Sequence, residues 1–391
     1  MLTHAVEIAL PADPLQVAQS RPLPLQPDDG AQRRFDGRPF GRLAGSRHCL
    51  GQQSVVDIDI GAHGLIHVYS AAHIYTTAAG SNVILVFGSI NLDLIFPLPS
   101  LPSPGETLLA PAVRIEPGGK GANQALAAAR DGATVIMAGA VGRDALADGA
   151  LVLLRQADID LSRVIKADAA TGCAGIFVDR QGRNVIGVGS GANLEVRADQ
   201  VEDTLLEPAT TLLLQMEVPP AENAALIRRA HARGTRIILN LAPAAPLDLD
   251  ALQAVDVLVL NETEAEWLAS RLGTRAESGD LHRALGNVVV RTLGEQGAEA
   301  ASEDGLIHVP GRKVVAIDTT GAGDCFTGVL AAALDQGIPL APALHRANAA
   351  AALCCTRAGS QGTMPTTAEI DAALRSSGAG SACGNSHDRG R

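Results

Sequence analysis

Between Val83 and Leu374, short continuous apolar runs alternate with helix-like stretches, and this rhythm restricts the fold more than anything else in the chain. The runs cover residues 83–88, 134–138, 212–215, 236–239, 257–260 and 288–291. Helical patterns lie between most of them, notably over residues 221–233 and Glu262–Leu272. An unbroken apolar strand has no face to offer water, so strands of this kind belong in a mainly parallel sheet covered by helices on both sides. Residues 175–178 and 184–188 depart from the rhythm, and the turn Asp179-Arg180-Gln181-Gly182-Arg183 between them predicts an antiparallel hairpin. With residues 94–96 and 108–115 they make a small second sheet, a lid spanning about 94–116 and 172–188. Such a lid suits a pocket at the carboxyl ends of parallel strands.

Bulk properties narrow the function. A chain of 391 residues with 47% hydrophobic and 19% charged content has ample material for a core. Its net charge of −11, without a Lys/Arg cluster, opposes binding to nucleic acid or an anionic membrane. Aromatic content of 2% leaves little for base stacking. Six cysteines without a CxxC pair or metal-ligand spacing read as reduced thiols. No run approaches the roughly 18 apolar residues of a membrane span, and no basic-then-apolar leader is evident. These features predict a cytoplasmic protein. The Pro/Gln/Gly-rich residues 1–81 read as a weakly ordered extension, with short strands at 55–60 and 65–69, and residues 377–391 as a disordered tail.

Two glycine-rich turns carry the chemistry. Asp318-Thr319-Thr320-Gly321-Ala322-Gly323-Asp324-Cys325-Phe326 follows an apolar run, 314–317, read as a strand, and opens a helix-like segment, 326–334. Small residues at such a turn let backbone N–H groups converge on an anion, aided by the helix dipole. A carboxylate at that mouth suffers repulsion unless it has work, and Asp324 is placed to take a proton from a hydroxyl attacking phosphorus. Gly118-Gly119-Lys120-Gly121-Ala122-Asn123 precedes a second, Ala-rich helix running to about Arg130. Lysine occurs elsewhere only at 166 and 313, and Lys120 with Asn123 can bind a polyhydroxylated ligand. No Walker-type phosphate loop is present, so a nucleotide must be held another way. Asn261 and Glu264 read either as a helix cap or as groups for water-mediated Mg²⁺. Asp93, after Asn91-Leu92, caps a turn or accepts paired sugar hydroxyls, and Glu217 is a charge beside an apolar run.

Five segments extend this reading: GSINLD at 88–93, PGET at 104–107, GGKGANQA at 118–125, NETEAE at 261–266 and DTTGAGDCF at 318–326. In this order and spacing, residues 82–376 resemble the phosphofructokinase-B-type sugar kinase family, and its ribokinase-like members in particular. The resemblance implies a three-layer α/β/α sandwich with a small β lid and dimerisation through that lid. It implies ATP-dependent phosphorylation of D-ribose at the 5-hydroxyl, with another small sugar (deoxyribose) or a nucleoside as alternative acceptor. A nonenzymatic sugar-binding regulator and a dehydrogenase are the readings from other classes. By position, Asp324 resembles the general base, and the N–H groups of Gly321, Ala322 and Gly323 the anion hole. Asn91, Leu92, Asp93, Gly119, Lys120, Gly121, Ala122, Asn123 and Glu217 match the sugar-holding positions. Asn261, Thr292, Leu293, Gly294, Glu295, Gln296, Gly297, Gly323 and Asn348 match nucleotide positions. Glu264 is implied to act on Mg²⁺ through water. Asp318, Thr320, Cys354, Arg357, Gly359 and Thr363 match a loop that holds K⁺. Residues 273–286 look short for the helix the family carries there.

Overall fold

Alternation within each buried strand sends successive side chains into two separate helical layers. The computed structural model describes residues 58–60, 66–68, 82–181, 183–207 and 210–378. Ile84 and Val86 of β3 (Val83–Phe87) enter one apolar cluster, Leu85 and Phe87 the other. Leu213 parts company with Leu212 and Leu214 on β10 (Thr210–Leu214) in the same way, as does Val259 with Leu258 and Leu260 on β12 (Val257–Asn261). The first layer holds α1 (Lys120–Arg130), α2 (Leu146–Gln156), α7 (Ala322–Asp335) and α8 (Leu340–Cys354). The second holds α3 (Pro220–His231), α4 (Leu249–Gln253), α5 (Glu262–Leu272) and α6 (Ser278–Leu285). A helix of 12 residues, α9 (Thr367–Gly378), ends the described chain.

The remaining strands of the large sheet are β6 (Val135–Gly142), β7 (Asp160–Ala167), β11 (Arg236–Asn240), β13 (Val288–Thr292), β14 (Gly297–Ser302) and β15 (Gly305–Pro310). The nine strands run in the order β15-β14-β13-β12-β11-β10-β3-β6-β7. All pairs are parallel except β13 with β14 and β14 with β15. The chain progresses outward in opposite directions from β3 and β10, so a switch point falls between them, where a ligand crevice is expected. A separate sheet pairs β5 (Arg114–Gly118), β4 (Asn91–Pro97), β8 (Gly172–Val178) and β9 (Asn184–Gly189) in that order. This is the expected lid, and the β8–β9 hairpin is antiparallel as predicted. Buried Asp179 ties its turn by accepting from the Gln181 and Arg183 N–H groups, each at 2.9 Å.

Several boundaries differ from expectation. Residues 314–317 form no strand; Val315 is 85% exposed and Ile317 66%. The sheet has already ended with the β15 edge, and the chain crosses its mouth, held where Ile317 N–H donates to Cys355 O at 2.8 Å. Helix α1 starts at Lys120 and α7 at Ala322, each one turn earlier than its apolar pattern, because the glycine-rich turns themselves provide the first helical residues. Strand β5 begins only at Arg114, since Pro111 lacks the N–H a ladder needs. Residues 273–286 do carry a helix, the short α6, and α9 runs on to Gly378. Of the N-terminal extension, Ile58–Ile60 (β1) and Ile66–Val68 (β2) pair antiparallel within the two runs marked as strands. The rest of residues 1–81, Gly182, residues 208–209 and residues 379–391 lie outside the described residues.

Candidate active site

Strand β3 ends at the switch point, and Gly88-Ser89-Ile90 carries the chain from the large sheet into the lid. Asn91, Leu92 and Asp93 therefore lie on β4 itself rather than on a free loop. Gly119, at φ 88°, caps α1 beneath them, and a Cβ there would lie 2.8 Å from the Asn91 nitrogen. Gly121 meets the Ser89 nitrogen at 2.6 Å by the same construction. The paired glycines thus allow the α1 terminus to touch the β3–β4 crossing. Gly119→Ala adds both left-handed strain and a backbone clash. We expect it to cost about 1–3 kcal/mol of folding stability, measured by denaturant melts.

Carboxylates gather around this junction. Glu217, beyond the end of β10, accepts from Ser89 Oγ at 2.6 Å and from the Lys120 backbone N–H at 3.0 Å. Asp93 is buried, and its Oδ1 has no hydrogen-bond partner among the described residues. Burial, then the charges of Glu217, Glu116 and Asp324, push its carboxyl up to about 7. Asn123 Oδ1 is a second buried acceptor without a donor. Two buried acceptors without donors leave hydrogen bonds that a ligand's hydroxyls can supply.

Asp324 lies in the first turn of α7, buried, with both oxygens engaged. Asn123 Nδ2 donates to Oδ2 at 2.9 Å and Gln124 Nε2 to Oδ1 at 3.0 Å. Gln124 also donates to Asn240 Oδ1 at 3.0 Å and accepts from Gln215 Nε2 at 2.8 Å. This buried amide network fixes the carboxylate's direction and satisfies its negative charge. Lys120 lines the same cavity of about 230 Å³ as Asp324, Asn261, Glu264, Gly321 and Gly323. The Asp324 charge raises the Lys120 ammonium's proton affinity, outweighing burial, with Glu217 and Glu264 adding to it.

Glu264 and Asn261 form a reciprocal cap on α5: Asn261 Oδ1 accepts from the Glu264 N–H at 2.9 Å, and Glu264 Oε2 from the Asn261 N–H at 2.8 Å. The cap reading of this pair is thus realised, and Glu264 also lines the small cavity. Burial raises the Glu264 carboxyl, partly countered by the Asn261 N–H and by Lys120.

A larger cleft of about 760 Å³ adjoins this cavity, lined by Gly294, Glu295, Gln296, Gly297, Phe326 and Asn348 among others. Leu293 packs inward instead. Asn348 Nδ2 donates to Pro310 O at 2.8 Å. Thr292 and Gly323 line both the cleft and the smaller cavity, so the two spaces meet at the start of α7. Gly321, at φ 75°, caps that helix, and Cys325 N–H bonds back to its carbonyl at 2.8 Å. The Ala322 N–H donates to Thr319 O at 3.2 Å.

The loop expected to hold K⁺ forms one cluster beside this turn. Asp318 accepts from the Thr320 N–H at 2.9 Å and the Gly359 N–H at 3.0 Å. Cys354 Sγ and Thr363 Oγ1 lie 2.9 Å apart, and Thr363 Oγ1 donates to Ser360 O at 2.6 Å. Arg357 pairs with Glu369 and reaches Thr363 O at 3.5 Å. The Ser360 and Thr363 carbonyls already accept hydrogen bonds within this cluster. Among the described residues no group of three or more His, Cys, Asp and Glu side chains forms a metal cluster.

Sequence reasoning did not single out Gln124, Gln215, Asn240 or Asn193. Asn193 accepts from the Ile90 N–H at 2.9 Å and donates to Asn91 Oδ1 at 2.7 Å. Gln124 was available as the next letter of the GGKGAN run. The other three come from elements far along the chain, and nothing local marks them.

A nucleotide-sized cleft meets a small polar cavity at a helix N-terminus, with a buried carboxylate on the cavity side, an arrangement that suits phosphoryl transfer to a polar acceptor. Residues 81–367 match the pfkB family of carbohydrate kinases. The ribokinase of Staphylococcus aureus (strain COL) is 36% identical over 302 residues, covering 74% of this chain and 99% of that protein. A deoxyribokinase of Salmonella typhi is 35% identical over 301 residues, covering 74% of this chain and 97% of that protein. A solved structure of Arabidopsis thaliana ribokinase complexed with ribose and ATP superposes with a TM-score of 0.68 at 28% identity, covering 76% of this chain and 99% of that one. The chain belongs to the pfkB family and has its ribokinase-like fold, with helices on both faces of the sheet and a β lid.

Proposed function

We propose that this sugar kinase transfers the γ-phosphoryl group of ATP directly to the 5-hydroxyl of D-ribose, giving D-ribose 5-phosphate and ADP. One observation carries the reading: the nucleotide-sized cleft and the acceptor cavity share Gly323, with Asp324 on the acceptor side. Asp324 takes the hydroxyl proton, and the Gly321, Ala322 and Gly323 N–H groups receive the phosphoryl oxygens. Lys120 neutralises charge between Asp324 and the phosphate. Asn91, Leu92, Asp93, Gly119, Gly121, Ala122, Asn123 and Glu217 shape the sugar side. Thr292 and residues 294–297, with Asn261 and Asn348, hold the nucleotide. Mg²⁺, held through water by Glu264, supplies positive charge at the phosphates when bound. The carbonyls around Asp318, Thr320, Cys354, Arg357, Gly359 and Thr363 suit K⁺ as activator.

The ribokinase and deoxyribokinase relatives differ in acceptor by one hydroxyl. The unfilled Asp93 Oδ1 and Asn123 Oδ1 favour ribose, because a missing hydroxyl leaves a buried acceptor unpaired. That loss is worth about 1–3 kcal/mol, so kcat/KM is expected to fall about 5–150-fold for 2-deoxy-D-ribose. A panel of pentoses, hexoses and nucleosides assayed for ADP release tests this. Equal or higher kcat/KM for 2-deoxyribose rejects ribose as the preferred acceptor.

The same reading takes residues 82–376 as one kinase domain, with a homodimer formed through the lid. Ile115, Val185, Ile186 and Val188 expose apolar surface on the four-stranded sheet, which supports that interface. Among the described residues no helix is long and apolar enough to cross a membrane, and Cys173, Cys325, Cys354 and Cys355 are free thiols.

A further inference from the structure

Glu116 lies on the lid strand β5 directly opposite Asp93 on β4. Like charges facing each other across an antiparallel pair are destabilising, so this arrangement needs a compensating role. Glu116 Oε2 accepts from the Ser360 N–H at 3.4 Å, and Oε1 lies 3.6 Å from Arg114 Nε. Gly359, at φ 109°, passes so close that a Cβ there would lie 2.6 Å from Glu116 Oε2. Two neighbouring bonds share the seam: Ser360 Oγ donates to Pro117 O at 3.2 Å and Gln361 Nε2 to Gly118 O at 3.3 Å. The Gly359 N–H in turn donates to Asp318, which also holds Thr320, the residue before the Gly321 cap.

We propose that Glu116 is a positioning residue for the kinase reaction, latching the lid strand to the loop behind the phosphoryl-transfer turn while its charge acts on the sugar-facing Asp93. The proposal rests on the sugar-kinase reading of this site. Two effects follow, and they separate by chemistry. The latch needs only an acceptor for the Ser360 N–H, which a glutamine supplies. The action on Asp93 needs the negative charge, which a glutamine lacks. The other charged or titratable groups around Asp93 are Glu217 beyond β10, Asp324 at the start of α7, and Cys173 on β8, whose thiol is pushed up by burial and by Asp93. Ionised Asp93 is the better acceptor for hydroxyls, so sugar affinity rises with pH until that carboxyl, held at about 7, has lost its proton. Removing the Glu116 charge moves this rise to lower pH.

The test compares Glu116→Gln, Glu116→Ala and the unaltered full chain, using whichever sugar of the panel is turned over fastest. KM for that sugar and kcat are measured from pH 5.5 to 9. The glutamine variant is expected to move the acid limb of the sugar KM down by about half a pH unit, with kcat within about twofold of the parent. The alanine variant is expected to show the same shift and, at pH 8, a kcat about 5–10-fold lower, from loss of the Ser360 acceptor. An unmoved acid limb in the glutamine variant, or parental kcat in the alanine variant, overturns the proposal. Failure of ribose as substrate leaves this test intact, because the acceptor is chosen from the panel. Matching melting temperatures for parent and glutamine variant show that the pH shift does not come from misfolding.

Discussion

Replacing Asp324 by asparagine is expected to lower kcat by about 10²–10⁴-fold while leaving sugar affinity within about threefold. The substitution preserves shape and removes the carboxylate proposed to accept the hydroxyl proton. Its neighbours make the test clean in one respect and demanding in another. Asn123 and Gln124 both donate to Asp324, so an asparagine amide brings its own donors against one of theirs. A local repacking of Gln124 against Asn240 and Gln215 absorbs part of that conflict. Turnover by coupled ADP release, with sugar binding by calorimetry, separates loss of proton transfer from loss of the site. Turnover within about tenfold of the parent removes Asp324 from the role of base.

The second large effect concerns Asp93, where function and stability pull apart. Asp93→Asn is expected to weaken sugar binding at pH 8 by about 100-fold, since a charged acceptor of hydroxyls is lost. The same change is expected to raise folding stability at that pH. Burial lifts the Asp93 carboxyl from 3.8 to about 7 in the folded chain. A raised carboxyl favours folding while protonated, below its unfolded value near 4, and that advantage is lost as pH climbs through 7. At pH 8 the folded chain therefore carries an ionised buried carboxylate at a cost on the order of 4 kcal/mol, part of which asparagine removes. Denaturant melts at pH 5 and pH 8 check the sign: the variant's gain is larger at pH 8. A destabilised variant at pH 8 contradicts the electrostatic account of this position.

Much of this architecture is written locally. The six apolar runs became the parallel strands β3, β6, β10, β11, β12 and β13, because a strand buried on both faces leaves an unmistakable unbroken pattern. The lid hairpin was equally legible from its polar turn. The 314–317 run misled because apolarity alone does not say whether a sheet edge remains to be joined; here β15 had already closed it. The β14–β15 hairpin went unread, since GAEAAS and GLIHVP are too short and mixed to show a period. The candidate site follows the same division. Asp324, Lys120 and Asn123 stand in glycine-rich turns whose purpose is readable, whereas Asn193, Gln215 and Asn240 act through partners that only the folded chain brings near. Glu116 is the sharpest case: its meaning depends on the Asp93 pairing and on Gly359, 243 positions later.

In the proposed reaction Asp324 and the start of α7 face the primary hydroxyl of a sugar held by Asp93, Asn123 and Lys120. A crystal structure of the full chain with D-ribose and a nonhydrolysable ATP analogue measures this directly. The expected result is a 5-hydroxyl oxygen about 3 Å from an Asp324 carboxylate oxygen, with the γ-phosphate at the Gly321–Gly323 amides and ring hydroxyls on Asp93. A sugar bound with its primary hydroxyl turned away from Asp324, or lodged in another cavity, contradicts it.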